Sequence, residues 1–231
     1  MLAEIHKHIN DTRISFDEAE HNYFIDGKKA KFSVTEIIDK FFPEFDSAYW
    51  AERKAIEKLN QDHVEYDSEV LQTTIKQILD GWENKRVEAA SKGTILHEKI
   101  EDFYNEKYHE YYPPEFDFFK NFHNKYKKLK PYRTEWRIFD DSLSLAGTVD
   151  MVYQKDNGEL FIFDWKRTSK LIDKNNQPVL KDFNYGRDGL SHIADNSFNR
   201  YALQQNVYKF ILEKHYDKQI SSMNLLILHP N

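Results

Sequence analysis

The sequence predicts an α/β chain, and three observations predict it. Three strand-like segments follow one another at 134–139, 143–153 and 160–165. Helical patterns bracket them, one from Gly93 and one over 200–215. A largely helical stretch precedes the whole. At 231 residues the chain can form one sizeable domain, or a domain with a subdomain. The 40% hydrophobic and 15% aromatic fractions indicate a packed core rather than disorder.

Taken in order, Ile14-Ser15-Phe16 and Asn22-Tyr23-Phe24-Ile25, with Asp26-Gly27 as a turn, read as a short hairpin or meander. Ser33 and Glu36 have capping-box spacing and start a helix. Helices are expected over 47–59 and 67–92, the second broken or kinked at Gly81. From Gly93, the residues Ile95, Leu96, Ile100, Phe103 and Tyr104 recur at helical spacing. A further helix is expected over 114–130, ended by Pro131. Asp156-Asn157-Gly158 joins the second and third strands as a hairpin loop. The polar stretch 168–197 reads as a long loop. A last strand over 223–228 stops at His229-Pro230. The domain boundary is set at 92/93: a hairpin and helical cap over 1–92, and a core over 93–231.

The formal net charge of −6 does not exclude a nucleic-acid partner, because binding follows local potential rather than the whole-chain sum. Zero cysteines exclude disulfides, thiolate catalysis, zinc–cysteine sites and a cysteine-held iron–sulfur cluster. The same absence fits an intracellular, reducing setting. No segment approaches the roughly 18 uninterrupted apolar residues of a membrane span. Met1 to Lys7 lack the charged-then-apolar plan of a signal peptide. A soluble protein with no membrane partner is expected.

The chemistry concentrates in Asp164-Trp165-Lys166, which ends the apolar run Leu160-Phe161-Ile162-Phe163, and in Asp150, which ends Leu145-Ala146-Gly147-Thr148-Val149. Strand alternation puts Asp164 and Lys166 on one face and Trp165 on the other. Pairing across the hairpin brings Asp150 beside Asp164 only if register and any bulge allow it. Two close carboxylates repel, and a divalent cation is the usual resolution. Carboxylates, cation and lysine together form the kit for metal-assisted phosphodiester cleavage. The plainer alternative is a surface salt bridge between Asp164 and Lys166. His97 and Glu101, at i and i+4, share a helix face; His97 is either a half-buried packing residue or, where its helix packs against the carboxylate strands, part of an imidazole–carboxylate set suited to manganese or magnesium. Gln204 and Tyr208 share a face of the late helix, where each can hydrogen-bond a phosphate or the lysine, or be structural. Lys120, Lys125, Lys127, Lys128, Lys130 and Arg133, interleaved with Phe122, Tyr126 and Tyr132, suit a nucleic-acid backbone contact or a solvated helix face. Arg167, Lys170 and Arg187 extend that positive surface.

Taken together, Gly93-Thr94-Ile95-Leu96-His97-Glu98, Gly147-Thr148-Val149-Asp150, Asp164-Trp165-Lys166 and Gln204-x-x-x-Tyr208 resemble the PD-(D/E)XK nuclease superfamily, specifically its RecB-like exonuclease branch. The resemblance covers Gly93 to Pro230. It implies a restriction-endonuclease-like core, a mixed central β-sheet flanked by helices. It also implies that Asp150, Asp164, the Trp165 carbonyl and His97 bind one or two Mg²⁺ or Mn²⁺ ions. Lys166 would position the attacking water and stabilise the transition state, and Glu101 would order the metal's surroundings. Gln204 and Tyr208 would support the lysine or the strand being cut, with Glu135 a further carboxylate candidate. Val149 stands where the family's namesake proline would be, and there is no iron–sulfur staple. The N-terminal part, with Ser33-Val34-Thr35 and Tyr49-Trp50-Ala51, is similar to phage-type exonucleases and the mitochondrial genome maintenance exonuclease. That narrower likeness implies phosphate contacts at Ser33 and Thr35, a helical cap over single-stranded DNA, and the cytoplasm of a phage-infected bacterial cell. A metal-dependent DNA exonuclease is expected. The alternatives are a structure-specific or nicking endonuclease with the same site, and a catalytically silent DNA-binding module.

Overall fold

The computed structural model describes residues 1–229, so Pro230, expected to stop the last strand, lies outside the described residues. The chain divides into two compact units, Met1–Pro43 with Ile95–Asn231, and Glu44–Thr94.

The first unit is built on a five-stranded sheet. Its strands are β4 (Phe32–Ser33), β5 (Lys130–Asp140), β6 (Leu145–Gln154), β7 (Leu160–Lys166) and β8 (Ile220–Ile227). Preceding them, β1 (Ile14–Asp17), β2 (Asn22–Ile25) and β3 (Lys28–Lys29) form a separate antiparallel meander. β6 is central: β5 runs antiparallel along one edge over nearly its whole length. The other edge is shared, with β4 parallel at Leu145 and Ala146 and β7 antiparallel from Met151 to Gln154. Gly147 to Asp150 thus lie in a fork between β4 and β7. β8 extends the sheet parallel to β7.

Helices close the sheet through two apolar clusters. Val34 and Ile38 of α2 (Val34–Asp39) join Tyr208, Ile211 and Leu212 of α6 (Ser197–His215) against Val149, Val152 and Ile162. Leu96 and Ile100, from the helix ending at Tyr104, join Phe116 and Phe119 of α5 (Phe116–Lys125) against Met151, Tyr153, Phe163 and Trp165. α2 starts as its capping box dictates: Ser33 Oγ accepts from the Glu36 N–H and Glu36 Oε2 accepts from the Ser33 N–H. Residues 1–43 therefore cluster with the core rather than with the helical segment after them, unlike the division at 92/93. The cause is local: Phe32 and Ser33 pair with β6, and Val34 and Ile38 enter its cluster.

The second unit contains α3 (Ser47–Gln61) and the first part of α4 (Ser68–Tyr104). α4 is continuous for 37 residues, with no break at Gly81 and no restart at Gly93. A helical glycine costs only about 1 kcal/mol relative to alanine. Neighbouring helix formers and the Arg86–Glu83 and Lys92–Glu88 ion pairs offset it. A second difference concerns Pro131. The helix expected to 130 ends at Lys125, and Pro131 sits inside β5. Among the described residues β5 has only β6 as a strand partner, and a register shift falls between Pro131 and Arg133, so the missing N–H breaks no ladder.

Candidate active site

The fork gathers the charged residues. The ladder between β6 and β7 ends at Met151 and Phe163, so the next two residues, Asp150 and Asp164, face each other beyond it. Asp150 Oδ2 instead accepts the Trp165 N–H at 2.9 Å. Across the other edge, Thr134 pairs with Met151 and Trp136 with Val149, while Glu135 between them takes a left-handed φ of 42°. That conformation costs a non-glycine residue about 1–3 kcal/mol. Side-chain alternation breaks at the same place, since Val149 joins the α2/α6 cluster and Met151 the α4/α5 cluster. The irregularity turns the Glu135 and Asp150 carboxylates toward His97 of α4. Its Nδ1 lies 3.6 Å from both Glu135 Oε1 and Asp150 Oδ2.

The opposite ring nitrogen fixes the tautomer. His97 Nε2 is 3.0 Å from the Trp165 carbonyl oxygen, which can only accept, so Nε2 carries a hydrogen in either charge state, and in the neutral ring Nδ1 is the open nitrogen facing the carboxylates. The Trp165 carbonyl, expected to bind metal, is engaged as the orienter of His97. Asp164 is held apart from this group by Lys166, whose Nζ lies 2.7 Å from Asp164 Oδ2. Their side chains are 3% and 16% exposed, so this is a buried pair and not the surface bridge of the plainer alternative.

The site carries surplus negative charge. Burial pushes Asp150 up, and burial together with the Asp150 charge pushes Asp164 up. For His97, burial opposes the charged form, but Asp150 and Glu135 outweigh it and raise the imidazole to about 9. Lys166 is likewise raised, Asp164 and Asp150 overcoming its desolvation, and stays an ammonium. One imidazole nitrogen and two carboxylates with ligand atoms within 4.8 Å of one another suit a divalent cation, and the repulsion among the carboxylates is what such an ion would relieve.

α6 closes the fork. Tyr208 is buried, with Asp150 and Asp164 both raising its phenol, and its hydroxyl accepts from Gln204 Nε2 at 2.9 Å. Gln204 also reaches Thr35 Oγ1 at 3.4 Å. The Tyr208 ring lies so close to β6 that a Cβ on Gly147 would sit 2.7 Å from its Cε1, which explains the glycine of Gly147-Thr148-Val149-Asp150. Lys166 Nζ rests 4.4 Å from the Tyr201 ring centroid. Tyr201 is a neighbour for which no role was expected. Its position at i−3 from Gln204 and i−7 from Tyr208, on their face, is the signal that marks it.

Other expected residues stand apart. Glu101 is half-buried on α4 with Asp102, Lys107 and Arg137 among its charged neighbours, and the metal-competent group is His97, Glu135 and Asp150. Ser33 spends its hydroxyl on the helix cap. Arg167 is paired with Glu115 at 2.7 Å in a largely buried bridge and is not a free surface cation. Lys125, at the end of α5, and Lys127 and Lys128 just beyond it are exposed. Of the same basic run, however, Arg133 is buried against Asp11 at 2.7 Å, and Phe122 and Tyr132 pack against the clusters, which leaves Tyr126 as its exposed ring.

A family model described as the PD-(D/E)XK nuclease superfamily matches residues 53–222, most of the chain. No curated protein matches the sequence.

Proposed function

The chain belongs to the PD-(D/E)XK nuclease superfamily, and from that premise we propose that it is a Mg²⁺- or Mn²⁺-dependent exonuclease of single-stranded DNA or DNA ends. The observation that carries the catalytic part is the convergence of His97, Glu135, Asp150, Asp164 and Lys166 at one fork of the sheet. A divalent cation bound there supplies charge for the scissile phosphate and lowers the pKa of water.

In this reading His97 Nδ1, Glu135 and Asp150 hold the ion, with Asp164 beside them. Lys166 remains an ammonium and hydrogen-bonds the attacking water or a phosphate oxygen, opposing the negative charge that grows on phosphorus. Water gives up a proton to solvent as it adds to phosphorus, the bond to the leaving sugar oxygen breaks, and that oxygen takes up a proton from solvent. Asp164 and the Tyr201 ring fix where the ammonium points. Tyr208 and Gln204 border the carboxylates and steady the strand being cut. Thr35, within reach of Gln204, and the exposed Lys125, Lys127 and Lys128 would meet phosphates outside the site. The exonuclease assignment is supported by the likeness of residues 33–35 and 49–51 to phage-type exonucleases, which also favours a phage-infected bacterial cell as the setting.

The test is digestion of end-labelled single-stranded DNA in Mg²⁺, Mn²⁺ or EDTA, beside Lys166→Ala. Metal-dependent shortening from one end, lost in the variant, is expected. Closed circular single strands cut as fast as linear ones would replace the exonuclease by an endonuclease with the same site. A wild type silent on every DNA would leave a binding module.

A further inference from the structure

β5 and β8 lie at opposite sides of the five-stranded sheet and are finished differently. Along β5 the edge is blunted. Pro131 brings no donor, and Arg133, Glu135 and Arg137 bring charge. A strap also crosses it. The Leu2 N–H, at the start of α1 (Leu2–Ile5), donates to Asn105 Oδ1 at 3.1 Å, and Asn10 Nδ2 donates to the His215 carbonyl at 3.2 Å. Between these ends, Arg133 Nη1 donates to the His6 carbonyl at 2.9 Å and Trp136 Nε1 to Asp11 Oδ1 at 3.0 Å. The strap thus runs from the end of α4 on one face, over β5, to the end of α6 on the other.

β8 has none of these devices. Its residues, Ile220 to Ile227, include no charge and no proline. β7 pairs along one side of it in parallel, and Lys209 Nζ and Gln205 Nε2 of α6 donate to the Ile220 and Asn224 carbonyls at 2.8 and 2.9 Å. The Leu228 N–H donates to the Lys166 carbonyl at 2.9 Å, so strand alternation turns the peptide groups of Met223, Leu225 and Ile227 away from β7. Among the described residues no strand pairs with them. Their side chains are partly exposed, and Leu225 and Ile227 belong to neither apolar cluster. An uncharged apolar edge of this kind is a template for another strand.

Charge and symmetry select the occupant. A strand bearing lysines or carboxylates finds no counter-charge on β8, whereas a second β8 brings none that needs one. A twofold axis through Leu225 pairs all three outward peptide groups: Met223 with the partner's Ile227, and Leu225 with the partner's Leu225, apolar against apolar. We infer that the chain forms a homodimer by antiparallel pairing of β8 with the β8 of a second copy. The strapped β5 edges then end the joined sheet, so the assembly closes at two chains. Both catalytic forks fall on the same side of it, their β7 strands three strand spacings apart, about 14 Å. The inference concerns assembly and holds whether or not the fork cuts DNA.

Sedimentation equilibrium of the full chain over a range of concentrations tests it. The wild-type mass should rise toward twice that of one chain and stop there. Leu225→Lys and Leu225→Glu should each raise the dissociation constant about ten-fold or more, because the twofold sets like charges face to face. An equimolar mixture of the two variants should dimerise again, since opposite charges then meet. Leu225→Pro should also stay monomeric, because the N–H it lacks points outward and its loss spares the β7 ladder. If circular dichroism shows that proline disrupts the fold, the charged variants decide. A wild type that is monomeric at every concentration overturns the inference, as does growth past two chains. So does a dimer that both charged variants leave intact, or one that their mixture fails to restore.

Discussion

Asp140 and Asp150 lie on neighbouring strands, both largely out of solvent, and meet opposite electrostatic fates. Asp140, fully buried at the end of β5, accepts from Ser142 Oγ at 2.6 Å, the Leu143 N–H at 3.1 Å and Lys214 Nζ at 3.1 Å, with His215 Nε2 at 2.8 Å. Burial alone would raise it, but these partners prevail and hold its carboxyl below the usual carboxylate range. Asp150 has one backbone N–H and faces Glu135 and Asp164, and its carboxyl is raised. Burial raises both carboxyls; at Asp140 the hydrogen-bond partners overcome it, and at Asp150 the neighbours do not. A buried carboxylate whose lone pairs are all engaged holds structure together. One placed among other carboxylates is kept at a cost to stability and has to be explained by what it binds.

The largest expected effect breaks the reactive member of the comparison. Lys166→Ala should lower the cleavage rate by about 10³ or more, while metal-induced thermal stabilisation persists. Asp164→Ala should lose cleavage and weaken metal binding too. A titration of melting temperature against Mn²⁺ separates the two variants, and retained activity in either removes the site assignment.

Next comes the structural member. Asp140→Asn should destabilise the protein by about 2–4 kcal/mol, measured by denaturant unfolding, with the metal response unaltered. Because Asp140 is depressed in the folded state, its contribution is present above its unfolded value of about 3.9 and is lost as pH falls through the folded one. The stability gap between wild type and Asp140→Asn should therefore narrow below about pH 4. A gap that is flat with pH would mean that Asp140 contributes by shape and not by charge.

Gly147→Ala comes third. A methyl 2.7 Å from Tyr208 Cε1 should cost about 1–3 kcal/mol and lower cleavage, since Tyr208 must leave the carboxylates to make room. Full activity at unchanged stability would show that Tyr208 is free to move. The smallest effect sharpens the contrast most. In EDTA, Asp164→Asn should shift unfolding by only about 0–1 kcal/mol, because relief of the Asp150 repulsion offsets the counter-charge that Lys166 loses. A loss as large as that of Asp140→Asn would dissolve the distinction between the two carboxylates.

Much of this arrangement was legible in the sequence because short patterns carry it. Asp164 and Lys166 share a face as strand alternation predicts, whereas Asp150 turns toward His97 through the irregularity at Glu135 and Val149–Met151. What escaped had no local signal or a misleading one. β4 is two residues long, too short for any period, although it ties the N-terminal segment to β6. Gly81 and Gly93 read as breaks, but the penalty of each is small against a long run of helix formers. Glu101 had the right spacing from His97 and the wrong surroundings. Glu135 reaches the site only through a left-handed residue within a strand, which alternation cannot foresee. Arg133 and Arg167 counted as surface cations until Asp11 and Glu115, distant in sequence, claimed them.

The peptide groups of Trp165 have a consequence for how such a site is dissected. Its N–H holds Asp150 and its carbonyl holds His97, while its indole belongs to the aromatic layer on the other side of the sheet. Every one of the twenty side chains at this position would keep those two contacts in principle, except proline, which lacks the donor. An alanine scan would therefore score the packing of the ring and be blind to the link between Asp150 and His97. Replacing a single amide by an ester, through chemical synthesis or suppressor-loaded hydroxy acids, would edit the atoms that codons cannot reach.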